Sequence, residues 1–455
     1  MSTNRTAKET LLRLASQFPV VAITGPRQSG KTTLAKMAFP DKKYISFDDK
    51  SMRELATSNP KDFLMAFPDG AIIDEAQKVP EIFDAVKFYV DNEEYVPGKY
   101  ILTGSSQFRL KENITDSLAG RVASLKLMPF SIKELNSDNL LSDNAYDTIF
   151  KGFYPPLYDP QKHFIASDWF ENYIDTYLDM DVKNLINPSN LSSFKKFIQL
   201  SATYSGQMVS MDKISKVIGV SAPTIKQWFS ILESSFIIHF LEPETNSLGK
   251  SLVKTPKMYF VDSGLLCHLL RIESKEELLL SPHKGAVVET FALSELLKNR
   301  LNFGKKANLT FFRDQKGFEV DIIADWKHTF AIEIKSSADA ESKLSESVRD
   351  YLGLRKDSNC KGSVFYLGDL TCEINGIKYI SWKDWCKVEE RKSAAPYSSL
   401  PEPVEGANGR LNFIRKSSLL RYYQLHTYFQ FHKVLVSSGI QSWIEQVRNP
   451  KFCIN

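Results

Sequence analysis

The sequence predicts an α/β chain: a parallel-sheet domain, a helical segment with a helix-turn-helix pattern, and a second α/β unit. Three observations carry this. Over residues 1–140, short apolar runs alternate with helical patterns, the rhythm of a parallel sheet with helices on its faces. Residues 208–240 read as helix, turn, helix, strand. From about residue 284, a helix precedes three closely spaced apolar strands and a later fourth. The chain has 455 residues, and at about 150 residues per domain it holds roughly two to four domains.

The elements follow in order. Residues 7–16 form the first helix. The run from Phe18 to Thr24, FPVVAIT, is a strand ending in a glycine-bearing turn, and a helix starts near Lys31. Strands are expected at Tyr44–Phe47, Ala71–Ile73, Tyr100–Leu102 and Leu125–Phe130. The segment from about 141 to 200 is helical, with a Pro-rich turn at 152–156 and interleaved Trp169, Phe170, Tyr173 and Tyr177. Ile214, Val217 and Ile218 sit at helical spacing, Gly219 breaks that helix, and Ser221 is an N-cap for the next. Phe236–Leu241 reads as a strand. A helix over Val287–Lys298 then leads to strands at Leu309–Arg313, Glu319–Ala324, Thr329–Ile334 and Ser363–Leu367. No internal repeat is visible.

Composition excludes several classes. With 43% hydrophobic and 25% charged residues, the chain is neither disordered throughout nor membrane-spanning, since no apolar run approaches the roughly 18–20 residues of a span. The start, Met1 to Gln17, lacks a signal-peptide apolar core, so a cytoplasmic protein is expected. Five scattered cysteines without CxxC spacing argue against a disulfide scaffold and a zinc site. His163, His239, His268 and His283 show no metal-site spacing either. The net charge of +4 divides into +1 for residues 1–140, −1 for 141–388 and +4 for 389–455. The folded body is neutral, so charge gives no support for nucleic acid as a partner.

The chemistry begins at residue 25. Gly25, Pro26, Arg27, Gln28, Ser29, Gly30, Lys31, Thr32 and Thr33 read GPRQSGKTT, a match to G-x-x-x-x-G-K-[ST] between a strand and a helix. The glycines let backbone N–H groups curl round a phosphate, and the helix start adds partial positive charge. Lys31 would reach the β- and γ-phosphates, and Thr32 would bind Mg²⁺. Asp74, at the carboxyl end of an apolar strand, can hold the Mg²⁺ shell. Glu75 is placed to orient or activate the attacking water; the alternative is an acidic strand cap. After the next strand, the Ser105 hydroxyl can contact the γ-phosphate or the water, or simply belong to a turn. Arg121 is either an arginine finger or a surface residue. Ser105 and Ser106 lack the His and Asp pattern of a nucleophilic hydrolase.

These motifs, with YISFDD (44–49), AIIDEAQKVP (71–80), ILTGSSQF (101–108) and LAGRV (118–122), resemble the AAA-superfamily ATPases of bacteria and archaea that carry a C-terminal domain of unknown function. GFYPP (152–156), TYLDMDV (176–182), KTPKMYFVDSGLL (254–266), GFEVDII (317–323) and AIEIKSS (331–337) extend the resemblance over about residues 10–388. It implies ATP binding and hydrolysis, and a C-terminal region made of a winged helix and a nuclease-like core. The expected division is a P-loop ATPase domain over 1–140, a helical connector over 141–200, a winged-helix-like domain over 201–275, a nuclease-like domain over 276–388 and a poorly structured tail over 389–455.

Asp321 near one strand end and Glu333 and Lys335 at the end of the next resemble the PD-(D/E)XK nuclease core. Asp321 and Glu333 would bind Mg²⁺, Lys335 would position or activate water, and Glu289 in the preceding helix is a further metal ligand. The same residues also describe a buried ion network in a retired fold. In the helix-turn-helix stretch, Ser221–Ser230 offers Thr224, Lys226, Gln227 and Trp228. One basic residue is few for a DNA reader, so protein or interdomain packing competes, with Trp228 in the core. The tail contains SLPEPVEG, resembling translated bacterial intergenic repeats, and reads as read-through sequence. Three readings stand: a Mg²⁺-dependent ATPase coupling hydrolysis to rearrangement of its C-terminal domains, a nucleotide-gated regulator or adaptor, and a nucleic-acid-processing enzyme. A homo-oligomer or a protein partner stays open in each.

Overall fold

A computed structural model describes residues 3–104, 117–178, 182–183, 185–186, 188–245 and 251–387. The expected read-through tail and Ser105 lie outside the described residues.

The N-terminal domain is built on a parallel sheet. Its strands are β1 (Val20–Thr24), β2 (Lys43–Ser46), β3 (Ala71–Asp74), β4 (Tyr100–Gly104) and β5 (Val122–Lys126), in the order β2-β3-β4-β1-β5. Every pairing is parallel. β1, β3 and β4 are buried along their whole length, as central strands covered on both faces must be. Parallel strands put all their carboxyl ends on one edge, so the turns after β1, β3 and β4 meet there. The fifth strand begins three residues before the apolar run that marked it. Ala123 and Leu125 are buried while Ser124 and Lys126 are exposed. An edge strand alternates, and a reading keyed to the contiguous run LKLMPF misplaces it.

Residues 145–202 supply the helices Ala145–Lys151, Ala166–Tyr177 and Leu191–Ala202. The last of these leads through β6 (Gln207–Met208) to helices Met211–Ile218 and Ala222–Ser234, then to β7 (Ile238–Pro243) and β8 (Lys257–Phe260). Gly219, at φ +81°, ends the first helix of the pair, and the Ser221 hydroxyl accepts from Thr224 N–H at the start of the second. β7 and β6 flank β8, both antiparallel to it. Trp228 is buried against Phe194 and Phe197, and takes no part in the surface of its helix.

The long helix Lys284–Asn302 precedes β9 (Leu309–Arg313), β10 (Glu319–Asp325) and β11 (Thr329–Ile334), an antiparallel meander. Helix Glu346–Arg355 then returns the chain to β12 (Cys360–Tyr366), parallel to β11. β13 (Cys372–Ile374) and β14 (Ile377–Ser381) finish the sheet. β7 pairs with β9, so the described strands of both C-terminal units form one sheet, β13-β14-β12-β11-β10-β9-β7-β8-β6. One continuous hydrophobic core runs from Phe130 to Trp385. The boundaries expected at 200/201 and 275/276 fall inside that core. At its centre, Lys284–Asn302 is buried round most of its circumference and packs against β11, β5 and helix Ala7–Ala15.

Candidate functional site

The phosphate loop is shaped by its glycines. Gly25, at φ +152°, runs so close to the Leu127 carbonyl oxygen that a Cβ would sit 2.0 Å from it. Gly30, at φ +92°, caps helix Lys31–Ala38 in the left-handed region that side chains avoid. The buried Lys31 ammonium donates to the carbonyls of Gly25 at 3.0 Å and Pro26 at 2.8 Å, folding over its own loop.

Asp74 gathers hydroxyls from three elements. Thr32 Oγ1 lies 3.0 Å from both of its carboxylate oxygens. Tyr44 donates to Oδ2 at 2.8 Å, and Thr103, at the end of β4, also bonds to the carboxylate. Burial and the bond to Asp74 push the Tyr44 hydroxyl up to about 12. Glu75 stands at φ +53°, a conformation that costs a non-glycine residue about 1–3 kcal/mol and recurs at functional sites. Its carboxylate accepts from Gln77 Nε2. Tyr44 and Thr103 lie within YISFDD and ILTGSSQF, but only their positions on strands beside β3 reveal their contact with Asp74.

A cleft of about 930 Å³ opens on the loop. Arg27, Gln28, Lys31, Thr32, Thr33 and Glu75 line one wall. The other wall comes from the next segment of the chain, with Pro155, Tyr158, Trp169 and Tyr173. Arg121 is elsewhere. It precedes β5, in register with the start of β1, so roughly 16 Å of strand separates it from the loop. There it pairs with Asp91, Nη2 to Oδ2 at 2.9 Å. Within one chain, the structure does not bring Arg121 to the phosphate loop.

The second constellation comes together in the C-terminal sheet. Glu333 Oε1 pairs with Lys335 Nζ at 2.6 Å, and Glu333 Oε2 accepts from Ser347 at 2.7 Å. Asp321 Oδ2 accepts the Ile334 N–H at 2.8 Å, and Glu289 Oε2 accepts from Tyr259 at 3.1 Å. Burial, then the charges of Glu289 and Glu333, push the Asp321 carboxyl well above the ordinary aspartate range. Burial raises Glu289 too, against the pull of Lys257 and Tyr259. Lys257 was not expected here. It reaches in from β8, is 3% exposed, and bonds to Glu319, whose other oxygen accepts from Arg313 at 2.6 Å. Burial works against its ammonium, but Glu289, Glu319 and Asp321 outweigh it and hold the group above the ordinary lysine range. Among the described residues, no three His, Cys, Asp or Glu side chains are arranged to hold a metal ion. In the expected ligand set, both Glu333 oxygens, Asp321 Oδ2 and Glu289 Oε2 accept from lysine, serine, backbone and tyrosine donors.

Comparison with known proteins matches three stretches of the chain. Residues 17–136 match the family described as an AAA domain. Residues 142–276 and 284–385 match two families described as domains of unknown function, DUF8612 and DUF4143. The N-terminal domain is similar to AAA-type P-loop ATPases. The chain is 27% identical over 351 residues to an uncharacterized protein of Mycobacterium tuberculosis, covering 76% of this chain and 77% of that protein. It is 25% identical over 309 residues to an uncharacterized protein of Haemophilus influenzae, covering 59% and 75%. Among solved structures it is similar to a Walker-type ATPase of Pyrococcus abyssi, at 15% identity and a TM-score of 0.39, covering 58% of this chain and 95% of that one. The ADP form of the Aeropyrum pernix ORC2 protein is similar at 14% identity and a TM-score of 0.29, covering 51% and 84%. Among the described residues, no helix is long and apolar enough to cross a membrane.

Proposed function

We propose that this protein is a cytoplasmic Mg²⁺-dependent ATPase that couples turnover in the cleft to rearrangement of its C-terminal units. The observation that carries the reading is the convergence of Lys31, Thr32, Asp74 and Glu75 on one edge of the cleft. Thr32 and Asp74 would hold Mg²⁺: their oxygens are adjacent, and an all-oxygen set suits that ion. When bound, the ion neutralises charge on the β- and γ-phosphates. Lys31 would exchange its two loop carbonyls for phosphate oxygens. Glu75 would orient the attacking water once Gln77 releases it. The aromatic and proline wall supplies an apolar face for the base. Because that wall belongs to residues 142–276, nucleotide would bridge the P-loop domain and the unit beyond it.

Two variants separate binding from turnover. Lys31→Ala removes a charge-assisted contact worth roughly 1.5–3 kcal/mol, so ATP affinity is expected to fall about 10- to 150-fold. Glu75→Gln keeps shape and leaves Asp74 in place, so binding is expected to hold while hydrolysis drops by about 10²-fold or more. Labelled-ATP binding and phosphate release on both variants check this. Turnover of Glu75→Gln at the parent rate would refute the catalytic assignment.

That result would favour the second reading, a nucleotide-gated regulator, which draws on the engagement of Glu75 by Gln77 and of Arg121 by Asp91. An arginine-finger role for Arg121 requires a second copy of the chain. Nucleic-acid processing rests on the Asp321, Glu333 and Lys335 arrangement within a helix, three-strand meander, helix, strand order.

A further inference from the structure

Arg5 belongs to no motif, yet it is 5% exposed and touches three distant stretches of chain. Its Nη1 donates to the Ser29 carbonyl at 2.7 Å and its Nη2 to the Met128 carbonyl at 2.6 Å. Its Nε pairs with Glu134 Oε1 at 3.1 Å, and its guanidinium lies 5.0 Å from the centre of the Phe130 ring. Glu134 is itself fixed: Thr6 N–H donates to Oε1 at 2.8 Å and Ser131 N–H to Oε2 at 2.9 Å. A planar fork with donors aimed in several directions is what this seat requires, and a lysine cannot fill it.

The contact with Ser29 has a consequence across the peptide bond. In a planar trans peptide, the C=O of one residue and the N–H of the next point in opposite directions. Holding the Ser29 carbonyl on Arg5 therefore turns the Gly30 N–H the other way. Gly30 is also where this peptide would rotate most easily, because glycine accepts φ of either sign. Its φ is +92°. A rotated peptide would aim a carbonyl oxygen at an anion in the loop.

We propose that Arg5 is the positioning residue of the phosphate loop. It locks the Ser29–Gly30 peptide so that the Gly30 N–H meets the second phosphate of a nucleoside di- or triphosphate. The inference rests on the nucleotide reading of the cleft. Arg5 donates to backbone and Glu134, and needs no contact with the nucleotide itself.

The test is affinity for ADP against AMP, which lacks the second phosphate. Arg5→Lys is expected to weaken ADP about tenfold and leave AMP unchanged, collapsing the ratio between them. A purely structural role predicts a lower melting temperature with the ratio intact, and that result overturns the proposal. Trp385→Phe, a buried change outside the cleft, serves as the control for lost stability alone. The intact parent gives a second measurement that needs no variant to fold. With ¹⁵N-glycine labelling, ADP should shift the Gly30 amide and AMP should not. A Gly30 amide that ignores ADP while the Gly25 amide responds overturns the proposal and spares the nucleotide reading. A parent that binds neither nucleotide overturns both.

Discussion

The two lysine-and-carboxylate centres of this chain are satisfied in opposite ways. At the phosphate loop, Lys31 donates to backbone carbonyls and Asp74 is served by the hydroxyls of Thr32, Tyr44 and Thr103. In the C-terminal sheet, Glu333 faces Lys335 directly, and Lys257 enters a group of carboxylates. Neutral partners can be exchanged for a phosphate or a cation at modest cost, since a typical hydrogen bond contributes about 0.5–1.5 kcal/mol net. A buried ion pair resists such exchange, because either partner left behind is an uncompensated charge. On the reading proposed above, the first centre would exchange partners and the second would keep them.

The largest effect that sharpens this contrast is expected at Lys257. Lys257→Met leaves Glu289, Glu319 and Asp321 without the ammonium that offsets them. Removing one partner of a buried pair costs about 3–5 kcal/mol. The expected result is a marked fall in the urea midpoint, with ATP affinity at the loop unchanged. A midpoint equal to the parent's would show that the C-terminal carboxylates are solvated, and the contrast between the centres would disappear.

The seam between the units gives a second measure, by pH. His239 on β7 is faced by Lys126 at the end of β5. Burial, and then that charge, push its imidazole down to about 4. The folded state binds the proton less readily than the unfolded chain, whose histidine titrates near 6.5. Stability contributed by neutral His239 is therefore complete above pH 6.5 and is lost as pH falls toward 4. At about 1.4 kcal/mol per unit of displacement, the loss approaches ~3 kcal/mol. His239→Gln should flatten the acid limb of a stability-against-pH curve between pH 4 and 6.5. An unchanged limb would assign acid sensitivity to groups other than this seam.

Legibility in the sequence follows the same division. The loop was readable because its chemistry is local: nine consecutive residues, with Asp74 and Glu75 at the end of one buried strand. Asp321, Glu333 and Lys335 were readable because a hairpin brings near neighbours together. Lys257 was not, since it meets Glu319 across 62 residues, and among the described strands the pairing of β7 with β9 brings their strands into one sheet. Arg5 was hidden for the same reason, being 129 residues from Glu134. Tyr44 and Thr103 needed the strand order, which places β2 and β4 on either side of β3. The sequence leaves Arg121 open between an arginine finger and a surface residue, and register puts it at the far end of the sheet.

The smallest expected effect compares one hydroxyl from each centre. Tyr44→Phe removes a single donor to Asp74 but keeps the ring that Lys36 Nζ covers at 3.4 Å. Tyr44 is 39% exposed, and Thr32 and Thr103 remain, so the loss falls to that of an ordinary hydrogen bond, about 1 kcal/mol. That corresponds to roughly fivefold in turnover. Ser347→Ala likewise takes one donor from Glu333, yet leaves its pairing with Lys335 intact. It should move the urea midpoint slightly and turnover not at all. Phosphate release and urea unfolding on the two variants form a cross. If Ser347→Ala slows ATP turnover as much as Tyr44→Phe, the carboxylate cluster takes part in the ATPase cycle, and the division between a centre that exchanges partners and one that keeps them fails.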